Sequence, residues 1–110
     1  MTTDFAFESH TNVPGADLLL RDVEVQLRQL AAGHKDFTGA SVALEQPVAA
    51  ESANLYQARV VAYMRPANMV GMERHEMATA ALRGAVAAVE RQVRERRSRR
   101  KQRARRPRRP

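Results

Sequence analysis

Residues 55–73 read LYQARVVAYMRPANMVGME, and this stretch has the pattern of a β-hairpin. Apolar or small side chains occupy every second position from 56 to 64, which predicts a strand with one buried face. Pro66 stands at the second position of a turn-forming stretch, so the run 69–73 is expected to return as an antiparallel strand. The residues on the predicted buried face are Tyr56, Ala58, Val60, Ala62 and Met64.

A helix is predicted between residues 17 and 33. Asp17 is a suitable N-cap residue, and Gly33 is placed to end the helix as the first residue beyond it. Between them, apolar residues recur every three or four positions, as on the buried face of an amphipathic helix. The residues of this stripe are Leu19, Val23, Leu27 and Leu30.

Two further strands are predicted on either side of this helix. In residues 5–10 two phenylalanines alternate with smaller or polar residues, and turn-forming residues follow at 12–15. Residues 39–46 alternate in the same way, and Pro47 ends that run. The small and polar residues 48–53 predict a loop.

A second helix is predicted from Glu76 onward. Gly84 lies inside it, where a glycine is expected to allow close approach to the sheet. The apolar stripe stops at position 93, and residues 94–102 have helical propensity but no core face; Pro107 and Pro110 end any helix. The residues of the stripe are Ala78, Leu82, Val86, Val89 and Val93.

The order of these elements is β-α-β-β-β-α, which indicates an α+β sandwich with two helices on one face of a four-stranded sheet. The charge divides the chain in two. Residues 91–110 hold twelve basic residues and one acid, a net charge of +11, whereas residues 1–90 carry −4. We therefore expect a folded domain over residues 1–95 and a disordered, arginine-rich basic tail over residues 96–110.

The sequence lacks the motifs typical of an enzyme. It has no cysteine, which excludes disulfides and cysteine-based zinc sites. His10, His34 and His75 lack metal-ligand spacing and are interpreted as surface or packing residues. No signal peptide and no membrane-spanning run is evident. The expectation is a soluble cytoplasmic protein with no catalytic residues, cofactor, metal, membrane partner or small-molecule substrate.

The aromatic and methionine residues are interpreted as core. Tyr56 and Tyr63 are an odd number of positions apart on one strand, so their side chains point to opposite faces, which disfavours a base-stacking platform. Methionine clusters around the hairpin and the start of the second helix, where gap-filling is favoured over a flexible partner-binding surface. These methionines are Met64, Met69, Met72 and Met77.

The arginine-rich segment points to a polyanion. Guanidinium groups bind phosphate in a bidentate manner and stay charged at any cellular pH. On a continued second helix, one line of positions would consist of Arg83, Ala87, Glu90, Arg94, Arg97 and Lys101, flanked by Arg91 and Arg99. Such a segment does not read bases, so specificity has to come from the shape of the folded domain. The alternatives are a solvated tail or a nuclear-localisation-like signal.

Several blocks of the sequence resemble the ribosome hibernation-promoting factor and ribosome-associated translation inhibitor family. These are 19–30, 40–45 and 57–61, together with 73–93, where the Glu-x-x-Glu-Met-x-x-Ala opening and the Gly-Ala-Val-Ala-Ala-Val-Glu-Arg-Gln-Val run are most similar. The resemblance covers about residues 5–101. It implies two parallel helices on a four-stranded sheet, a fold similar to double-stranded-RNA-binding domains.

The resemblance also implies a function and a set of contact residues. Members of the family bind the small ribosomal subunit between head and body, where mRNA and the tRNA anticodon ends would lie, and inhibit translation in stationary phase or stress. Basic residues on both helices contact the rRNA. Carried over to this sequence, the implied rRNA-binding residues are Arg91, Arg94, Arg97, Arg100 and Lys101, with Arg28 and Lys35 from the first helix and its following loop.

The sequence departs from the family pattern on its helices. The first helix carries only Arg21 and Arg28, and Ala88 stands where the family often has lysine. The expectation is that the tail moves the electrostatic contact toward the C-terminus, in a protein that is monomeric off the ribosome and does not by itself dimerise ribosomes. Two alternatives stay open: a general RNA- or DNA-binding architectural protein, and a regulator whose acidic domain binds a protein while the tail anchors it.

Overall fold

The computed structural model describes residues 5–47 and 55–105, which form a four-stranded sheet and two helices. The predicted β-α-β-β-β-α order and the α+β class are confirmed. The elements are β1 (Ala6–Thr11), α1 (Asp17–Ala31), β2 (Phe37–Glu45), β3 (Tyr56–Met64), β4 (Met69–His75) and α2 (Ala78–Arg105). The loop predicted at 48–53 lies outside the described residues, as do the prolines at 107 and 110.

The sheet is mixed, and its strands lie side by side in chain order. β1 pairs parallel to β2, with α1 as the crossover between them. β2 pairs antiparallel to β3, and β3 pairs antiparallel to β4. The hairpin predicted from residues 55–73 is therefore confirmed, with Val60 opposite Gly71.

The core lies between one face of the sheet and the two helices. Ala58, Val60, Ala62 and Met64 of β3 are buried, as their alternation predicts. Tyr56, at the start of the same face, is half-buried against this core. The α2 stripe is confirmed from Leu82 to Val93, while Ala78 is only partly buried. The stripe is also wider than predicted, because Ala81 and Ala85 are buried as well. The buried residues of α2 are Ala81, Leu82, Ala85, Val86, Val89 and Val93.

The start of α1 differs from the prediction. Asp17 is wrong as the N-cap, because that position is held by the buried Ala16, whose carbonyl accepts a 3.0 Å hydrogen bond from the Leu20 amide. Asp17 is instead the first helical residue, where its carboxylate faces the positive end of the helix dipole. Val23 and Leu27 of the predicted stripe are buried, as expected. At its two ends Leu20 and Ala31 are buried instead of Leu19 and Leu30, which are only partly buried.

The tyrosines and methionines divide between the two faces of the sheet. Tyr63 is half-buried on the face of β3 opposite the core, so its interpretation as core is wrong, while the prediction that the two tyrosines point to opposite faces is confirmed. Met64 and Met69 fill the core, whereas Met72 and Met77 are 51% and 59% exposed. The core interpretation therefore holds for two of the four methionines.

The predicted boundary after residue 95 falls inside α2. The helix runs on to Arg105, so the described part of the predicted tail, residues 96–105, is helical rather than disordered. Neither helix of the described chain is long and apolar enough to cross a membrane.

Candidate nucleic-acid interface

Basic residues gather where α2 continues beyond the sheet. Among the side chains of α2 that the structure describes, Val93 is the last fully buried one, and from there the sequence of the helix is mostly arginine. The loop that follows α1, residues 32–36, lies beside this part of the helix. We call residues 91–101 of α2 together with loop 32–36 the basic end.

The end of α1 brings Lys35 to this place. Ala32 and Gly33 form a turn closed by a 3.0 Å hydrogen bond from the His34 amide to the Ala31 carbonyl. Gly33 has φ +76°, which a type II turn requires at its third position, so the predicted glycine stop is confirmed. The turn opens onto a cleft against α2, lined by Gly33, His34, Lys35, Asp36, Arg97, Arg100 and Lys101.

Arg97 is held against the end of α1. Its Nη2 donates to the Leu30 carbonyl at 3.1 Å, and its Nε is the one buried side-chain polar atom of the described residues without a hydrogen-bond partner. Burial lowers the pKa of Arg97 below its ordinary value, and the nearby Asp36 carboxylate opposes that shift. The guanidinium remains charged at physiological pH because its ordinary pKa is so high.

Two other arginines also reach back to the domain. Arg96 donates from Nη1 to the carbonyls of Arg65 and Ala67, at 3.3 and 3.1 Å, in the turn between β3 and β4. Arg100 pairs with Asp36, with 3.3 Å between Nη1 and Oδ2. The sequence did not indicate the role of Arg96, because its acceptors are backbone carbonyls, which every type of residue has.

A second group of cations faces solvent. Arg91, Arg99, Lys35 and Lys101 are exposed, and within the described residues none of them makes an ion pair or a side-chain hydrogen bond. Arg94 is also exposed and makes a 3.6 Å pair with Glu90 one turn earlier, which is worth little in water. These five side chains are available to an anionic partner.

Arg28 lies on the other side of the α1 turn. It pairs with Glu24 at 2.9 Å, and its Cζ lies 5.1 Å from the centre of the Phe5 ring. Arg28 and Lys35 line a common pocket that also contains Phe37. The structure therefore brings together five of the predicted site residues, whereas Arg91 and Arg94 line neither cavity. The five are Arg28, Lys35, Arg97, Arg100 and Lys101.

The opposite side of α2 forms a further shallow cleft. Gln92 donates from Nε2 to the Val70 carbonyl at 2.8 Å and so joins α2 to β4. Of the arginines on this side, the predicted set contained Arg100 and omitted Arg96 and Arg99, although the three recur at helical spacing. The lining residues are Pro66, Asn68, Met69, Gln92, Glu95, Arg96, Arg99 and Arg100.

The histidines lie outside the basic end, apart from His34. His10 is 3.9 Å from Glu45, and His75 accepts a 3.0 Å hydrogen bond at Nδ1 from the Met77 amide. Within residues 5–47 and 55–105, no three histidine or carboxylate side chains are grouped as a metal site requires.

Comparison with known proteins identifies the fold. No family model matches the sequence, and no curated protein matches it. Solved structures do match. A ribosomal subunit interface protein from Coxiella burnetii superposes with a TM-score of 0.69 at 6% identity, over 86% of this chain and 99% of that one. The N-terminal domain of Protein Y from Thermus thermophilus superposes with a TM-score of 0.64 at 20% identity, over 84% and 97%. The chain therefore has the fold of these two proteins, which is the fold that the sequence resemblance predicted.

Proposed function

We propose that this protein is a hibernation-type factor that binds the small ribosomal subunit through its rRNA. It occupies the channel of mRNA and the tRNA anticodon ends and so inhibits translation in stationary phase or stress. The observation that carries the proposal is the shared fold, which extends over 99% of the chain of a ribosomal subunit interface protein. The sequence resemblance to the hibernation factors supports the same proposal independently.

The basic end supplies the affinity in this proposal. Phosphate contacts need cations that are not already neutralised, and Arg91, Arg99, Lys35 and Lys101 meet that condition. Arg94 joins them because its pair with Glu90 is exposed and weak. Arg97 adds to the positive potential because its hydrogen-bond acceptor is a neutral carbonyl, whereas Arg28 and Arg100 are paired with carboxylates and add little.

The proposed activity is binding, without catalysis or a cofactor. The partner is the small subunit and its rRNA, which places the protein in the cytoplasm as a monomer when it is off the ribosome. Inhibition follows from occupancy of the channel, so it should depend on affinity and on the concentration of the protein.

Sedimentation tests the proposal. Cell lysate containing the protein is layered on a low-salt sucrose gradient, and the protein is followed by immunoblot. We expect it in the small-subunit and monosome fractions, and to leave them when salt is raised. If it stays at the top of the low-salt gradient while ribosomes run below, the proposal fails.

A general RNA- or DNA-binding protein is the alternative, and the surface of α1 favours it. Of the two arginines of α1, Arg28 is engaged by Glu24 and Phe5, which leaves Arg21 as the only exposed unpaired cation of that helix. A domain with so few shape-specific contacts would bind any polyanion. Competition distinguishes the two: duplex DNA displaces a general binder from small subunits at equal phosphate concentration, and leaves a ribosome-specific factor bound.

A further inference from the structure

Arg96, Arg97 and Arg100 tie one turn of α2 to three separate parts of the domain. Arg97 reaches the Leu30 carbonyl in the last turn of α1, and Arg96 reaches two carbonyls of the turn between β3 and β4. Arg100 pairs with Asp36, which lies just before β2. We call these three residues the arginine clamp.

The acceptors of the clamp are mostly neutral. The Leu30 carbonyl belongs to the last turn of α1, where carbonyls lack helical partners and the helix dipole favours a cation. The carbonyls of Arg65 and Ala67 carry no formal charge either. Only Arg100 is bound by a carboxylate. The contacts therefore fix the helix while cancelling little of its positive charge.

Beyond Val93, α2 has little else to hold it in place. No side chain of α2 after Val93 belongs to the buried core in the described part of the chain. An isolated helix of about a dozen residues is marginal in water, and like charges destabilise it further. The clamp supplies the contacts with the domain that core packing supplies to the first half of α2.

We propose that Arg96, Arg97 and Arg100 are positioning residues, which hold the arginine-rich part of α2 in one direction so that Arg94, Arg99 and Lys101 meet their partner preorganised. A helix that is already fixed loses less conformational entropy on binding. The geometric part of this inference stands alone, and only its consequence for affinity depends on the proposed function.

Charge-conserving substitutions distinguish arginines that hold α2 in place from arginines that contact the partner directly. The variant R96K/R97K/R100K keeps all three charges, but it replaces the planar guanidinium groups, whose donor directions are fixed, with flexible ammonium groups. The control R59K/R74K changes two exposed arginines, one on β3 and one on β4. Both lie outside the basic end and make no ion pair or side-chain hydrogen bond within the described residues. A lysine at each site retains the net charge of +7.

Pulsed electron–electron double resonance measures the direction of the helix. The chain has no cysteine, so the double variant V25C/A104C can be spin-labelled at those two positions alone. One label lies on α1, where Val25 is 53% exposed, and the other lies near the end of α2. We expect one narrow distance distribution in the parent and in the control variant. The clamp variant should show a distribution about twice as broad, since preorganisation is lost. A distribution as narrow as the parent's would overturn the inference.

Affinity for purified small subunits, measured with the unlabelled proteins, tests the consequence. We expect the clamp variant to bind about tenfold more weakly with an unchanged salt slope, and the control to stay within about twofold. Equal losses in both variants, or no loss in the clamp variant, would contradict a positioning role. If the wild type does not bind subunits at all, the proposed function fails, while the spin-label distances still decide the clamp.

Discussion

Gly71 determines how closely α2 packs on the sheet. A Cβ built on this residue of β4 would overlap the Ala85 backbone carbonyl and lie 3.1 Å from the Ala88 Cβ. Gly84, on the facing side of α2, is different because the three atoms nearest to its added Cβ all belong to the side chain of Glu73, with 2.5 Å to Cγ. Glu73 is exposed and can turn away. The sequence attributed the close approach of α2 to the sheet to Gly84, but it depends mainly on Gly71 of β4.

The two glycines give a matched pair of substitutions. We expect Gly71→Ala to lower the free energy of unfolding by about 1–3 kcal/mol, because backbone has to move. Gly84→Ala should be neutral or stabilising by up to about 1 kcal/mol, because alanine favours the helix. Urea denaturation followed by circular dichroism measures both. Equal effects in the two variants would refute this account of the packing.

Single residues also show what the sequence could not decide. Leu18, Leu19 and Leu20 are consecutive, so helical periodicity alone fits more than one register, and only the packing against the sheet selects Leu20. Asp17 has the residue type of an N-cap, yet the helix begins one residue earlier because Ala16 fits the buried corner. Local residue types predict that a helix starts here, while tertiary contacts decide where.

Whole elements were predictable where one face is buried. The alternation of β3 and the stripe of α2 follow from local periodicity, and both are confirmed. The continuation of α2 past residue 95 is different, because its arginine contacts join residues far apart in the chain. Arg97 and Leu30 are 67 positions apart, and a carbonyl acceptor is common to every residue type. Composition alone therefore suggested a disordered tail.

Removal of residues 96–110 tests this element. Among the described residues the core ends at Val93, so the truncated protein should fold with its sheet intact. Its free energy of unfolding should fall by about 1–3 kcal/mol, because the three arginine contacts are lost. We expect inhibition of a cell-free translation reaction to be lost. A deletion of residues 106–110 is the control, since it leaves the helix to Arg105 and should weaken inhibition only in part. Full inhibition by the longer deletion would show that the basic end is incidental.

In the molecule as a whole, most of the positive charge lies outside the part of the chain that forms the sheet and the core. The −4 of residues 1–90 lies on the domain that carries the fold, and the +11 lies on the last twenty residues. Long-range attraction therefore acts on one end of the protein and orients it as it approaches a polyanion. Because such contacts release counterions, binding should depend steeply on salt.

The salt dependence counts the phosphate contacts. If each of the five exposed cations of the basic end meets one phosphate, the log–log slope of affinity against salt should be about −4. Lys101→Gln should make the slope shallower by about one unit. Arg74→Gln, at an exposed position of β4 outside the basic end, is the control and should leave the slope unchanged. Equal changes in both variants would mean that net charge alone governs binding.

A cryo-electron microscopy map of small ribosomal subunits with the protein bound tests the central claim most directly. The account predicts density for the sheet and both helices in the channel between head and body, with the basic end of α2 against rRNA phosphates. Density at another site on the subunit, or subunits free of the protein at a concentration that inhibits translation, would contradict it.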